Sequence, residues 1–307
     1  MLLKNVHSML NDMNMSRPES RIAGARRLKA CWLLALVWLV STVWASLSPT
    51  SPGGIASAGI QFVALLAFIL IHASIAGGWR GALTFFAVLF GTSFVLEAIS
   101  IATGVPFGFF EHHSPGPRPL DVPLVVPVGY AVFGWLAWSQ TRSILSALTP
   151  ASRVALFAAP LLGAFILAGY DYPWDAIGAT VLKIHSYRFP SGLFGVPLLN
   201  FIGWIVTGWA AFQIFALVER RFTPAPLAAS RGYLLLPPLI WLGMAGSYFL
   251  RFWTAPEGTA SVAGRSFVIA DIYEASAAIS LPAMVLPALL AIIAIAAAPG
   301  QKPSAHD

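Results

Sequence analysis

Charge is scarce in this chain of 307 residues. Only 10% of the residues are Asp, Glu, Lys or Arg, whereas 58% are hydrophobic. A soluble globular domain carries about 25% charged residues. The composition therefore excludes an ordinary soluble domain and predicts an integral membrane protein. The net charge of +6 does not indicate a nucleic-acid partner, because membrane proteins carry excess Lys and Arg on their cytoplasmic side.

Cysteine and the common cofactor motifs are also nearly absent. The single Cys31 excludes an intramolecular disulfide and any multi-cysteine metal site. The sequence has no P-loop, no dinucleotide-binding glycine fingerprint and no G-x-S-x-G elbow. We therefore expect a protein that uses neither a nucleotide cofactor nor a metal ion.

What the chain has in abundance is long apolar runs. A helix needs about 20 apolar residues to cross a bilayer. Eight runs come close to that length: 30–47, 59–76, 81–102, 122–139, 154–170, 197–218, 232–250 and 275–298. The sequence therefore predicts an all-α polytopic bundle of about eight helices. We expect one transmembrane domain over 30–298, a basic cytoplasmic tail over 1–29 and a short cytoplasmic tail over 299–307.

The distribution of positive charge predicts an orientation. With the N-terminus in the cytoplasm, 13 of the 18 Lys and Arg residues fall on the inner side. Because Lys and Arg accumulate on that side, we expect both termini inside, in a bacterial inner membrane. The first run is short enough for a signal peptide, but the long basic region before it favours a retained helix.

Carboxylates gather at the predicted outer side of the membrane. Asp171 and Asp175 end the fifth run, and Glu97 lies within the third run near its outer end. Charged groups in lipid are costly and usually functional. Residues four apart share one face of a helix, so the two aspartates are expected to act together. These three residues are the candidate catalytic groups. The alternative for Glu97 is pairing with Arg118, Lys183 or Arg188 or capping of a neighbouring helix, and the alternative for the two aspartates is an interfacial cap or pairing with Lys183.

An internal repeat appears when the sequence is shifted by 74 positions. Across 97–137 this gives 10 identities in 41 positions without a gap, including Val-Pro-Leu at 122–124 and 196–198. Glu97 then falls on Asp171 and Tyr130 on Trp204. Runs three and four would form one hairpin and runs five and six its copy, related by an axis along the membrane normal. We expect Glu97 and Asp171 to face one cavity.

Several motifs in this region resemble the membrane carotenoid biosynthesis family. They are Glu97 with the T-G-V-P-F-G run at 103–108, Asp171 and Asp175, and the G-L-F-G-V-P-L-L-N-F-I-G-W run at 192–204. The resemblance covers about 90–215. Two positions depart from the usual pattern: Ala176 follows Asp175 where the family has Pro, and His185-Ser186-Tyr187 stands where it often has W-x-W.

The resemblance implies a carotenoid hydratase, which adds water to a terminal C=C bond of an acyclic carotenoid without a cofactor. Such a reaction needs a strong acid, a wall that tolerates a cation and one placed water. A carboxyl in an apolar site can keep its proton near neutral pH. The expected substrate is a polyene taken from the lipid phase; the oligomeric state stays open. The candidate substrate-binding residues are Phe107, Phe109, Tyr172, Trp174, His185, Asn200 and Trp204.

Other interpretations of these residues and of the chain are open. His185 can also be interpreted as an exposed loop histidine, and Asn200 can be interpreted as an N-cap of the sixth helix. Glu111-His112-His113 looks like a metal cluster, but neighbouring side chains on an extended chain point to opposite faces. A carotenoid end-group cyclase or isomerase begins with the same protonation. A membrane transporter or lipid-binding protein also fits parallel repeats, although it needs polar groups at both ends of its cavity.

Overall fold

The structure is a computed structural model, and it describes residues 18–49, 51–114, 116–148, 154–222 and 229–298. The long helices are α1 Pro18–Leu47, α2 Pro52–Thr103, α3 Val125–Leu148, α4 Val154–Ala176, α5 Leu198–Glu219, α7 Leu236–Trp253, α8 Ile269–Ser280 and α9 Leu286–Ala297. A short helix α6, Arg231–Leu234, precedes α7. Short π-helical segments follow α4 at Ile177–Val181 and α8 at Leu281–Val285, and a 3₁₀ turn lies at Pro119–Asp121. The strands are β1 Phe110–His112, β2 His185–Tyr187, β3 Thr259–Val262 and β4 Arg265–Val268.

The prediction of an all-α polytopic membrane bundle is confirmed. All eight apolar runs fall mainly in helices, although 59–76 and 81–102 belong to the single 52-residue helix α2. Within the described ranges, six segments are long and apolar enough to cross a membrane: Ile22–Leu47, Pro52–Thr103, Leu156–Val181, Leu198–Glu219, Arg231–Trp253 and Ile269–Ala297. Helix α1 begins at Pro18, so the second part of the predicted tail is helical; residues 1–17 and 299–307 lie outside the described ranges.

Helix α2 folds back on itself at Gly77 and Gly78. Both residues leave helical geometry, and Gly78 has φ +64° and ψ 178°, a region that glycine alone enters easily. The rings of His72 and Phe85 lie 6.1 and 5.0 Å from the Trp135 ring, so they are within about 11 Å of each other. Thirteen residues of straight helix would separate them by about 20 Å. The two halves of α2 therefore form a hairpin, which accounts for two of the predicted spans.

Local signals explain where α2 begins and ends. The Ser51 hydroxyl accepts a hydrogen bond from the Gly54 amide at 3.0 Å, and Pro52 occupies the first helical position. At the other end Gly104 adopts the left-handed conformation with φ +81°. A side chain there would also meet the Phe109 ring, at 2.7 Å. The chain therefore leaves the helix at Gly104 and enters β1.

The predicted repeat has a counterpart in the element boundaries. Under the same shift of 74 positions, the ends of α2 and α4 coincide to within one position, and so do the starts of α3 and α5 and the starts of β1 and β2. Strands β1 and β2 pair antiparallel, as equivalent segments do across a two-fold axis. Tyr130 and Trp204, which coincide in the same shift, stack on each other with centroids 4.1 Å apart and planes 13° apart.

Helix α3 is the centre of the bundle. It packs against α2, α4, α7 and α9, and Trp138 and Leu136 are almost wholly buried. This position explains why α3 is more polar than the surrounding helices, since it faces protein rather than lipid on most sides. The ends of α2 and α4, the start of α5 and the β1–β2 pair all meet at one end of the bundle, where the polar residues collect.

Candidate functional site

The β1–β2 pair brings two short polar segments together over that end of the bundle. In this register His112 lies directly opposite His185, and Glu111 lies opposite Ser186. Side chains alternate along each strand, so Glu111 and Ser186 are exposed while the two histidines point inward. In the part of the chain that the structure describes, no group of three His, Cys, Asp or Glu residues could hold a metal ion.

Asp171 and Asp175 lie one turn apart on the same face of α4. They are 1% and 4% exposed, so both carboxyl groups are withdrawn from water and lipid. Asn200, in the first turn of α5, places its amide nitrogen 2.9 Å from Oδ2 of Asp171 and 3.0 Å from Oδ2 of Asp175. The N-cap of α5 is Pro197 rather than Asn200. The amide of Asn200 therefore joins the two carboxyl groups.

Asp175 has two further partners, both on β2. The Tyr187 hydroxyl donates a hydrogen bond to Oδ2 at 2.5 Å, and Nε2 of His185 lies 2.7 Å from Oδ1. Both oxygens of Asp175 therefore lie next to a polar group of β2. Asp171, in contrast, has one oxygen, Oδ1, that makes no hydrogen bond to any described residue. The two aspartates are close neighbours with different environments.

These contacts set the ionisation of the two β2 side chains. Burial, the largest single effect, lowers the pKa of His185, but the charge and hydrogen bond of Asp175 together with the charge of Glu97 outweigh it, so the pKa lies above the ordinary value of 6.5. Burial, and then the Asp175 charge, raise the pKa of Tyr187 well above 10.0. Tyr187 is therefore a neutral donor to Asp175, and His185 keeps its proton to a higher pH than an ordinary histidine does because its pKa is raised.

Glu97 approaches the same region from α2. Its side chain is 5% exposed, and Oε2 lies 3.3 Å from Nε2 of His112. The other oxygen, Oε1, makes no hydrogen bond within the described ranges. His112 also packs against the edge of the Phe110 ring, with centroids 5.1 Å apart. A second carboxylate–histidine pair therefore accompanies the pair of Asp175 and His185.

One cavity of about 380 Å³ connects these groups. Seven of the ten residues singled out in the sequence line it: Glu97, Asp171, Trp174, Asp175, His185, Asn200 and Trp204. The expectation that Glu97 and Asp171 face one cavity agrees with this lining. A volume of this size accepts a small molecule or one end of a long one.

Aromatic rings form one wall of the cavity. Trp204 lies on its surface and is backed by Tyr130, which is fully buried. Phe133 and Tyr170 form a second stack in the wall, with centroids 3.7 Å apart. The faces of such rings carry partial negative charge and attract a nearby cation. The cavity therefore joins an acidic end to an aromatic surface.

The cavity also reaches the apolar surface of the bundle. Phe62 in the first half of α2 lines it and is 42% exposed, and Val125 at the start of α3 lines it and is 48% exposed. Phe62 lies on a segment that is long and apolar enough to cross a membrane, and Val125 is an exposed apolar residue at the start of α3. A long apolar ligand can therefore extend from the cavity into the surroundings at this point.

Three predicted substrate-binding residues do not line the cavity. Phe107 is 1% exposed and packs over Gly203, Phe109 lies against Gly104, and Tyr172 packs against the Phe201 ring at 5.0 Å. Successive residues on a helix point about 100° apart, so the neighbour of a site residue usually faces elsewhere. This geometry removes Tyr172 from the site even though it lies next to Asp171.

Sequence reasoning missed several residues that line the cavity, among them His112, Tyr187 and Arg251. His112 and Tyr187 alternate with exposed residues on their strands, which is a signal of one inward face. Arg251, at the end of α7, lies 6.0 Å from the Trp174 ring. No local pattern connects Arg251 with a site that is built from α4 and α5, far earlier in the chain.

Comparison with known proteins points to the same region of the chain. The sequence profile of the family described as "Carotenoid biosynthesis protein" matches residues 57–255. A bisanhydrobacterioruberin hydratase of Haloarcula japonica is 27% identical over 190 residues, which cover 59% of this chain and 61% of that relative. The match thus spans less than two thirds of the relative's length. No solved structure matches the chain significantly.

Proposed function

Because the chain belongs to the carotenoid biosynthesis protein family, we propose that it is a carotenoid hydratase. It adds water to a terminal C=C bond of an acyclic carotenoid by protonation and capture of the resulting cation. The observation that carries this proposal is a buried acid pair, Asp171 and Asp175, beside an aromatic wall in a cavity that reaches the lipid-facing surface. The similarity to a hydratase of another organism supports it.

The aspartate pair supplies the proton. Two adjacent carboxyl groups withdrawn from water share one proton rather than both carrying charge. Asp175 accepts from Tyr187 and Asn200, and its other oxygen lies 2.7 Å from His185, so neither of its oxygens is open to a substrate. Asp171 has one oxygen without a hydrogen bond to the described residues, and this oxygen is free to present the proton to an alkene. Asp171 is therefore the acid.

Proton addition to the less substituted carbon leaves a tertiary cation. The Trp204 face, held by its stack on Tyr130, lies where it can stabilise that charge. Water then attacks the cation, and its proton passes to a base. Glu97 lines the same cavity and has an oxygen without a hydrogen-bond partner within the described ranges, so Glu97 is the base. In the net reaction, the π bond of the alkene and one O–H bond of water break, and one C–H bond and one C–O bond form.

Water and polyene approach this site from different directions in the proposal. The polyene enters beside Phe62 and Val125 from the lipid phase. Water enters at the end of the bundle that carries β1 and β2, which corresponds to the outer side in the predicted orientation. This arrangement keeps the polyene in an apolar environment while only its end reaches the acid pair.

A transporter is less well supported. Its pathway needs polar groups at both ends, yet the polar lining of the cavity collects at one end of the bundle. His72, deeper in the bundle, is fully buried: it accepts from Trp135 Nε1 at 3.0 Å and its other ring nitrogen lies 3.1 Å from the Tyr233 carbonyl. Both ring nitrogens are thus used within the protein core.

Pigment analysis tests the proposal. The chain is expressed in cells that accumulate lycopene, and the extracted pigments are compared with those of cells that express D171N. We expect a product heavier by one water, about 18 Da, which D171N does not form. An unchanged mass with a shifted retention time would instead identify a cyclase or isomerase, which loses a proton from the same cation. Unchanged pigments with protein in the membrane would contradict the proposal.

A further inference from the structure

The site contains two carboxylate–histidine pairs that face each other. Glu97 lies 3.3 Å from His112, and Asp175 lies 2.7 Å from His185. The two histidines are directly opposed in the β1–β2 register, with ring centroids 6.3 Å apart and planes at 65°. One pair comes from the first repeat and the other from the second.

The proposed reaction leaves the site in the wrong protonation state after each turnover. The aspartate pair has lost a proton to the alkene, and Glu97 has gained one from the attacking water. Asp171, Asp175 and Glu97 are each at most 4% exposed, so their carboxyl groups have little direct contact with bulk water. A path that returns the proton from Glu97 to the aspartate pair is needed for a second turnover.

The two histidines provide that path. Imidazole takes up a proton on one nitrogen and releases one from the other, and its pKa near neutrality suits this role. A centroid distance of 6.3 Å is too long for a direct hydrogen bond in most ring orientations but is spanned by one water, which adds two bonds of about 2.8 Å each. The side chains are 10% and 11% exposed, which places both at the edge of the cavity.

We propose that His112 and His185 form a proton-return relay across the β1–β2 pair. The inference rests on the proposed hydratase function. Glu97 passes the proton of the attacking water to His112, one water carries it to His185, and His185 restores the aspartate pair. No electron is gained or lost, and the number of protons in the site is the same before and after each cycle. His112 is a positioning and relay residue, because it acts through Glu97 rather than on the alkene.

Burst kinetics distinguish a relay from a structural role. Purified protein in detergent micelles is mixed at time zero with lycopene in the same detergent. The reaction is quenched at short and long times and assayed for hydrated product per enzyme. In H112Q the first turnover is retained, because the aspartate pair starts with its proton. We expect a burst of about one equivalent, followed by a steady-state rate about 100-fold below that of the unaltered protein. Added imidazole should restore the steady-state rate of H112A.

The neighbouring H113Q variant is the matched control. His113 follows on from the same strand but is exposed and contacts Ser186 at 2.8 Å, so it is outside the relay. We expect H113Q to show the kinetics of the unaltered protein. H185Q removes the other end of the path and should give the same burst, which tests the relay even when H112Q does not fold.

The outcomes separate this inference from the proposed function. Equal loss of the first and later turnovers in folded H112Q, or no loss in either, would overturn the relay while leaving the hydratase intact. Absence of any hydrated product from the unaltered protein would overturn the hydratase proposal and the relay with it. A burst in H112Q and H185Q, with no burst in H113Q, supports both.

Discussion

The side-chain nitrogen of Asn200 donates a hydrogen bond to Oδ2 of Asp171 at 2.9 Å. The other oxygen of Asp171, Oδ1, has no hydrogen-bond partner among the described residues. The same nitrogen is 3.0 Å from Asp175. A neutral amide thus holds two acids at a fixed spacing, and only Asp171 keeps an oxygen without a partner among the described residues. The difference between the aspartates arises from their partners and not from their burial, which is nearly equal.

Replacing Asp171 by Asn should abolish hydration without unfolding the protein. The amide keeps the size of the side chain and can still accept from Asn200 through its oxygen, but it cannot deliver a proton. General acid catalysis is worth about 10²- to 10⁴-fold in rate, so we expect a loss in this range. The measurement is hydrated carotenoid formed per amount of protein, with thermal stability determined in the same detergent.

D271N is the control for D171N. Asp271 lies at the start of α8 and is exposed, so the same substitution is made outside the cavity. Its turnover should match that of the unaltered protein. Equal turnover in D171N and D271N would remove Asp171 from the mechanism.

Replacing Trp204 by Leu should slow the chemical step more than it weakens binding. Leucine remains apolar and keeps contact with a polyene, but it lacks the π face that stabilises a cation. A desolvated cation–π interaction is worth about 2 kcal/mol, which corresponds to a fall in kcat of about 30-fold. Steady-state kinetics with separate kcat and KM values measure the effect.

Trp209 offers a matched comparison on the same helix. It is 45% exposed and does not line the cavity, so W209L should leave kcat unchanged. A fall in kcat of similar size in both variants would show that the loss at Trp204 comes from the helix and not from the cavity wall.

The pair of His185 and Asp175 should make stability depend on pH. The pKa of His185 is raised in the folded protein above its ordinary value of 6.5, so folding binds a proton. The contribution of the protonated His185 to the free energy of unfolding is therefore complete below pH 6.5, and it is lost as the pH rises through the folded-state pKa. Melting temperatures in detergent, measured from about pH 6 upward, should fall with pH, and H185Q should flatten that part of the profile. A profile of H185Q that parallels the unaltered protein would contradict this origin.

Gly203 should not tolerate a larger residue. A Cβ atom at this position would overlap the Phe107 ring, which is 1% exposed and has no space to move into. Overpacking of a buried contact costs about 1–3 kcal/mol, so G203A should melt at a lower temperature than the unaltered protein. Gly246 in α7 is the matched control, because a Cβ atom added there has no neighbouring atom within 4 Å. G246A should therefore show no loss of stability. Equal melting temperatures for the two variants would show that Phe107 yields without cost.

The pattern of apolar runs is sufficient to predict the helices, because lipid imposes a length of about 20 residues on each crossing. The spacing of Asp171 and Asp175 predicts their shared face for a similar local reason. The partners of these groups depend on tertiary contacts. Alternation along β1 indicates that Glu111 and His112 face opposite ways, but only the pairing with β2, far along the chain, determines that His112 points inward.

Phe107, Phe109 and Tyr172 are predicted substrate-binding residues that do not line the cavity. Each is an aromatic residue within a few positions of a site residue or a family motif, and the sequence therefore suggests a channel wall. Phe107 instead fills the groove over Gly203, because the chain turns sharply after Gly104 and returns toward α5. Proximity along the chain therefore does not predict which way a side chain points. For Phe107 and Phe109 the backbone has left the helix, and for Tyr172 the helix turns the side chain away from that of Asp171.

The stack of Tyr130 on Trp204 has a consequence for ancestry. The two residues are equivalent in the internal repeat and touch each other, so they lie on the pseudo-two-fold axis between the hairpins. Contact of a position with its own copy is characteristic of an isologous dimer interface. This is the arrangement that duplication and fusion of a self-associating hairpin leaves behind. The two copies now differ at this site: the second carries the aspartate pair, and the first carries Glu97 with His112.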